Sequence, residues 1–444
     1  MNGLKIYSDK TLIDNKLVPA LLDITNGKIE AISYDKPNDA TNLIDVGNDI
    51  LMPGLIDPHV HINEPGRTDW EGFETATKAA AAGGLTSLID MPLNSSPVTT
   101  SVDAYKEKIN ATKGKLHVNC GFWAGLVPDN SENLTDLLDT GVLGIKAFMT
   151  HSGIDEFPNV TRQNLEAAMP EIAKRNLPLL LHCELDKDHE SIQHLLENPT
   201  SYQKYLHSRP RSWEDNAIEM MIELCEKYQC RTHIVHLSSS NSIEAIIKAK
   251  AKKLPLTVET GQHYLYFNSE SILDGRTEFK CAPPIREEEN NKKLLKALLD
   301  GIIDFVGTDH SPAPPDLKEI QSGNFAKAWG GIAGLQFALP VLWTVASKSG
   351  ASVLDIHKWM SANVAKFAGL DNSKGKIKIG YDADLLVWNP DENFLVTASQ
   401  IQHRHKVCPY IGENLKGVVK KTIVNGKIVF DEGRFVNLKE GTTL

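Results

Sequence analysis

Two histidines separated by one residue, His59 and His61, close the apolar run GLIDPHVH at 54–61. Residues i and i+2 of a strand point to one face, so both imidazoles can aim at one cation as a chelate. Taken alone, the pair fits core or hydrogen-bonded histidines somewhat better than a metal site. Other ligand-type residues, however, end later apolar runs: His182 closes LLLH, His236 closes HIVH and Asp309 closes DFVGTD. Lys146 stands in VLGIKAF, where an ammonium among apolar neighbours is unfavourable unless partnered. A neutral lysine can add carbon dioxide, and the two carbamate oxygens can bridge a pair of cations. A Schiff-base nucleophile and a structural ion pair are the other readings of Lys146. Imidazole and carboxylate ligands suit zinc, and also manganese, iron, cobalt or nickel, so the residues do not select the metal.

For these side chains to meet, the chain must bring the ends of several strands together. Eight short apolar runs alternate with helical patterns: 54–61, 85–91, 117–122, 142–148, 177–183, 232–237, 256–260 and 302–309. Segments such as NLEAAMPEIAKR and EDNAIEMMIELCEKY lie between them. Strands alternating with helices imply βαβ units, and eight of them make a (β/α)8 barrel the economical α/β topology. Barrel enzymes keep their active sites at the C-terminal ends of the strands, which is where the candidate ligands fall. Both chain ends have a different grammar. Short β-rich runs surround Asn26-Gly27 and Asn425-Gly426, each a hairpin signal. The expected organisation is a small β-sandwich assembled from 1–54 and 375–444, flanking a barrel over 55–374.

Composition narrows the function classes. With 444 residues, 41% hydrophobic and 23% charged, the chain has globular averages and room for a barrel plus a smaller unit. A net charge of −10 argues against a nucleic-acid footprint or an anionic membrane surface and fits a small neutral substrate. The N-terminus MNGLKIYSDK lacks a signal-peptide run, no stretch approaches a membrane span, and the expected compartment is the cytoplasm. Six cysteines without a CxxC pair read as reduced structural residues.

At this point the sequence resembles the amidohydrolase superfamily, specifically its cyclic amidases: dihydroorotases, hydantoinases and allantoinases. The resemblance rests on GLIDPHVHINEPG, GIKAF, LLLHCE, IVHLSS, KCAPPIRE and TDHSP. It implies that His59, His61 and Asp309 hold one divalent metal and His182 and His236 a second. Lys146, as N6-carboxylysine, would bridge them. It also implies water attack on a ring amide, with Asp309 as general base and then general acid, and a homo-oligomeric assembly. Dihydroorotases of this type bind their substrate's carboxylate with an arginine, an asparagine and a histidine at positions occupied here by Asn63, Leu93 and Ala313. That substrate is therefore disfavoured. MPLNSSP, DHSPAPP, KAWGGIAGLQ and RHKVCPYIG resemble the allantoinase branch, whose substrate, allantoin, is a neutral hydantoin ring bearing a ureido group. The expectation is a cavity poor in cations, with Asn63 and Asn94 as substrate contacts and backbone groups at Cys281 and Ala282 on the ring imide. Trp329, Gly330 and Gly331 would form a loop over the site, and His151 would reach it from a neighbouring loop. A hydantoinase or dihydropyrimidinase is the nearest alternative, and a non-catalytic interaction protein on the same scaffold the most distant.

Overall fold

In the computed structural model, which describes residues 3–36, 43–131, 134–186, 190–436 and 439–444, every predicted barrel run contains a strand. These are Leu55–Val60, Leu85–Asp90, Asn119–Phe122, Ile145–Phe148, Leu179–His182, Thr232–Ile234, Leu256–Gly261 and Phe305–Gly307. The pairing is parallel throughout. Their residues are almost wholly buried, as strands covered on both faces must be. Seven of the eight strands are shorter than the apolar runs that announced them, and His61, His236 and Asp309 at the run ends lie just beyond the ladder.

Closure of the barrel is visible in individual bonds. The first and last strands meet through a parallel bridge between Val60 and His310 and through His61 N–H donating to His310 O at 2.8 Å. Beneath this contact lies Asp57, whose carboxylate accepts from the backbone of His59 at 3.0 Å and of Thr308 at 3.2 Å, and from the Thr308 hydroxyl. Burial pushes the Asp57 carboxyl up to about 6, against the lowering effect of those hydrogen bonds. One buried side chain thus staples the strand that carries His59 to the strand that leads to Asp309.

The helices between strands follow their apolar periodicity. Arg162–Lys174 is capped by Thr161, whose side chain accepts from Asn164 N–H, and it buries Leu165, Ala168, Met169 and Ile172 at the i, i+3, i+4, i+7 spacing of an amphipathic helix. Arg211–Tyr228, without a side-chain cap, buries Ala217, Ile218, Met221, Leu224 and Cys225 along one face. All six cysteines are buried and unbridged. No helix among the described residues is long and apolar enough to cross a membrane.

A nine-stranded mixed sheet draws its strands from both ends of the chain. Ile50–Pro53 pairs with Leu385–Leu395, and Asn414–Val424 continues the sheet on that side. The two Asn-Gly dipeptides form the hairpin turns between Lys16–Thr25 and Lys28–Ser33 and between Asn414–Val424 and Lys427–Asp431. Asn26 and Gly27 take positive φ, as do Asn425 and Gly426, which is the backbone a two-residue hairpin of this kind requires. The sheet encloses an apolar core of its own, including Ile6, Leu22, Ile29, Leu51, Leu385 and Ile423. The fold is a (β/α)8 barrel with a small β-sandwich.

Candidate metal centre and catalytic cavity

His59, His61 and Asp309 converge so that one ligand atom from each lies within 4.8 Å of the others. Nε2 of His59 is 3.2 Å from Asp309 Oδ1, and Nε2 of His61 is 3.3 Å from the same oxygen. Bonds of about 2.0–2.1 Å in a tetrahedral site place ligand atoms roughly 3.3 Å apart, so this spacing suits a common cation. Across the cavity His182 Nδ1 and His236 Nε2 approach to 2.9 Å, and the His59 and His236 rings stack at 5.4 Å. Lys146 completes the group. It is fully buried, its Nζ has no hydrogen-bond partner among the described residues, and it lies 4.8 Å from the Phe148 ring centroid. Its charge acts on His61, His182 and His236 alike, and Asp309 acts on it in turn.

The surroundings tune these groups toward ligation. Burial holds His61 down at about 4 and lowers His182 and His236, so the imidazoles are neutral, the state a metal requires. Burial likewise draws Lys146 down to about 8, partly opposed by Asp309 and Glu259. For Asp309 burial acts upward, but His59 and His61 overcome it and hold the carboxyl below its ordinary range. The donor set and the unpartnered Lys146 together fit a divalent metal centre.

Behind the candidate ligands stand carboxylates that the sequence reading missed. His59 Nδ1–H donates to Glu259, which also accepts from His236 N–H at 3.3 Å and lies 3.3 Å from His233 Nε2. His182 Nε2–H donates to Glu184 at 2.7 Å, and Glu184 is gripped twice by Arg209. Each carboxylate fixes a ring so that its other nitrogen faces the cavity, the usual role of a residue behind a metal ligand. Glu184 was within reach of the sequence, two places after His182 in LLLHCE. Glu259 and Arg209 gave no local signal, because their partners lie 200 and 25 positions away.

A cavity of about 470 Å³ opens over the cluster. Of the predicted substrate contacts, Asn94 and Ala282 line it, together with Trp329, Gly330, Gly331 and His151. Asn94 lies against His61, Nδ2 to Nδ1 at 3.4 Å, with its Oδ1 unpartnered. Turning that amide over would let Oδ1 accept from His61 Nδ1–H, the tautomer that leaves Nε2 open toward Asp309. Asn63 is buried beside the cavity and donates to Pro312 O at 3.3 Å. The Cys281 carbonyl is occupied by the Tyr205 hydroxyl at 2.5 Å. Only glycine fits at position 331, where φ is 153° and a Cβ would stand 2.3 Å from Ser311 O. The expectation of a cavity poor in cations is not met: Arg209, Lys280 and Lys327 all line it. Sequence reasoning followed only the three positions at which a carboxylate reader was expected, and these cations come from other segments.

Residues 50–429 match the amidohydrolase family. The chain belongs to that family. Among individual amidohydrolases, it is 45% identical over 441 residues to an allantoinase of Streptomyces avermitilis, covering 98% of this chain and 97% of that one. It is 44% identical to an allantoinase of Arabidopsis thaliana, covering 97% and 88%. Its backbone superposes on an L-hydantoinase (dihydropyrimidinase) of Arthrobacter aurescens with a TM-score of 0.93 at 29% identity, covering 100% of this chain and 99% of that one. The family and its hydantoinase fold imply a pair of divalent metal ions, and His59, His61 and Asp309 form the cluster that fits one of them.

Proposed function

We propose that this amidohydrolase opens the hydantoin ring of allantoin to give allantoate. The observation that carries the reading is the convergence of five candidate ligands on a single cavity, with an unpartnered buried lysine whose charge acts on three of them. Allantoinases 40–45% identical over nearly the whole chain supply the substrate.

In this reading His59, His61 and Asp309 hold one cation and His182 and His236 the other, with zinc the first choice and manganese, cobalt, iron or nickel admissible. Divalent cations bound there would activate water near neutral pH and polarise the ring carbonyl. Asp309, ionised because its histidine neighbours hold it below its ordinary range, accepts the proton of the attacking water. It then returns that proton to the departing ring nitrogen, acting as base and then acid. Lys146, lowered by burial, would take up carbon dioxide through its neutral amine with loss of one proton, and as a carbamate it would supply oxygen ligands for the metal centre. Glu259 and Glu184 hold His59 and His182 in register throughout. Asn94 and the backbone at Ala282 contact the ring and its ureido group, with Asn63 and Cys281 shaping the wall behind them. The catalytic unit spans 55–374, flanked by a sandwich unit from 1–54 and 375–444, in a cytoplasmic homo-oligomer.

Ring opening of allantoin by the purified, metal-supplemented protein tests this directly, beside hydantoin, dihydrouracil and dihydroorotate and with a chelated control. Preferential, chelator-sensitive allantoin turnover is expected. Preference for hydantoin or dihydrouracil would replace allantoin with another neutral ring, and turnover of dihydroorotate would show that Lys280 or Arg209 reads a substrate carboxylate.

A further inference from the structure

Lys280 lines the cavity and Lys318 is bonded to its lining segments, and neither has a carboxylate partner among the described residues. Lys318 is 3% exposed, and its ammonium donates to the carbonyl oxygens of Lys280 at 3.2 Å, Trp329 at 2.9 Å and Gly331 at 2.8 Å. An ammonium has three donors, so Lys318 is saturated. It is a strut that ties the segment entering Ala282 to the loop Trp329–Gly331, both of which face the cavity. Lys280 is different. The residue lines the cavity, and its Nζ donates to Ala328 O at 2.6 Å and lies 5.3 Å from the Tyr205 ring centroid. Two of its N–H groups have no acceptor among the described residues.

The neighbouring charges do not neutralise it. Burial, and then Lys318 and Arg209, push the Lys280 ammonium down to about 7, and neither neighbour is an acid. Arg209 is balanced by Glu184; Lys280 is not. A positive charge held in a partly closed cavity without a counter-ion is unfavourable until an anion arrives. The reaction proposed above makes such an anion, because opening the ring converts a neutral amide into a carboxylate.

We propose that Lys280 is a carboxylate-binding residue of the catalytic cavity, retaining the ring-opened ureido acid, with Lys318 as the strut that fixes the loop Lys280 grips. The inference rests on the ring-opening reading, and calorimetry separates the two because it requires no turnover. The metal-loaded wild type and variants would be titrated with allantoate and with its neutral primary amide, metal content being measured in each sample. Lys280→Gln keeps a donor for Ala328 O and loses the charge. It should weaken the acid about tenfold more than it weakens the amide, and Lys280→Arg should recover most of that difference. Equal weakening of both ligands in Lys280→Gln, or no weakening of either, would overturn the proposal. A wild type that binds the acid preferentially but does not open allantoin would instead overturn the ring-opening reading.

Discussion

Lys374 and Lys146 are both buried lysines, and the two regions that hold them treat an ammonium in opposite ways. At the seam between sandwich and barrel, Lys374 is 5% exposed and bonds Asp382 and Asp384. Asp384 also accepts from Asn119 Nδ2 at 2.9 Å and from Asn425 N–H at 2.8 Å. Asn119 belongs to the third barrel strand and in turn accepts from Asn425 and Thr442. Every polar group there has a protein partner. At the barrel mouth, Lys146 Nζ has no hydrogen-bond partner among the described residues. Burial without a partner is unfavourable, so the seam reads as a finished joint and the mouth as a site completed by something that binds or reacts. Lys280 belongs with the second kind.

The contrast can be broken by substitution. Lys146→Ala should lose metal and fall to background activity, with partial rescue by short carboxylic acids that replace the carbamate; full metal occupancy by elemental analysis would remove Lys146 from the centre. Lys374→Met should leave metal content intact but cost about 3–5 kcal/mol of stability, since it strands a buried carboxylate. Denaturant unfolding reads that loss, and adding Asp384→Leu should recover part of it. Glu259→Gln lies between the two classes. It should weaken metal binding roughly 10–100-fold with little change in unfolding midpoint, and an unchanged metal affinity would mean that Glu259 merely fills space. Lys248→Ala removes an exposed i,i+4 pair with Glu244 and should produce no measurable shift in Tm. A clear shift there would undermine the separation between buried and exposed charges.

Much of the barrel was legible because it is written in local periodicity. Each apolar run bounded by helix-forming sequence became a strand, and the ligand types at the run ends became the mouth. What periodicity could not show is how the backbone behaves once it leaves the ladder. Asn63, Asn94, His236 and Asp309 all take positive φ, between 40° and 66°, an uncommon conformation for residues with side chains that concentrates at functional sites. His236 sits two residues beyond the end of its strand at Ile234, so its aim into the cavity follows from that turn and not from strand alternation.

The sequence by itself determined the eight-stranded frame, the two hairpin-rich ends and the identity of the candidate ligands, because strand burial and turn chemistry are properties of neighbouring residues. Only the tertiary structure decided which charges are answered. Lys374 finds Asp384 ten positions away, Glu259 finds His59 two hundred away, and Lys146 finds no hydrogen-bond partner among the described residues. Desolvation and charge pairing depend on what is packed within a few ångströms of an atom, and in a barrel those neighbours come from strands and loops far apart in the chain.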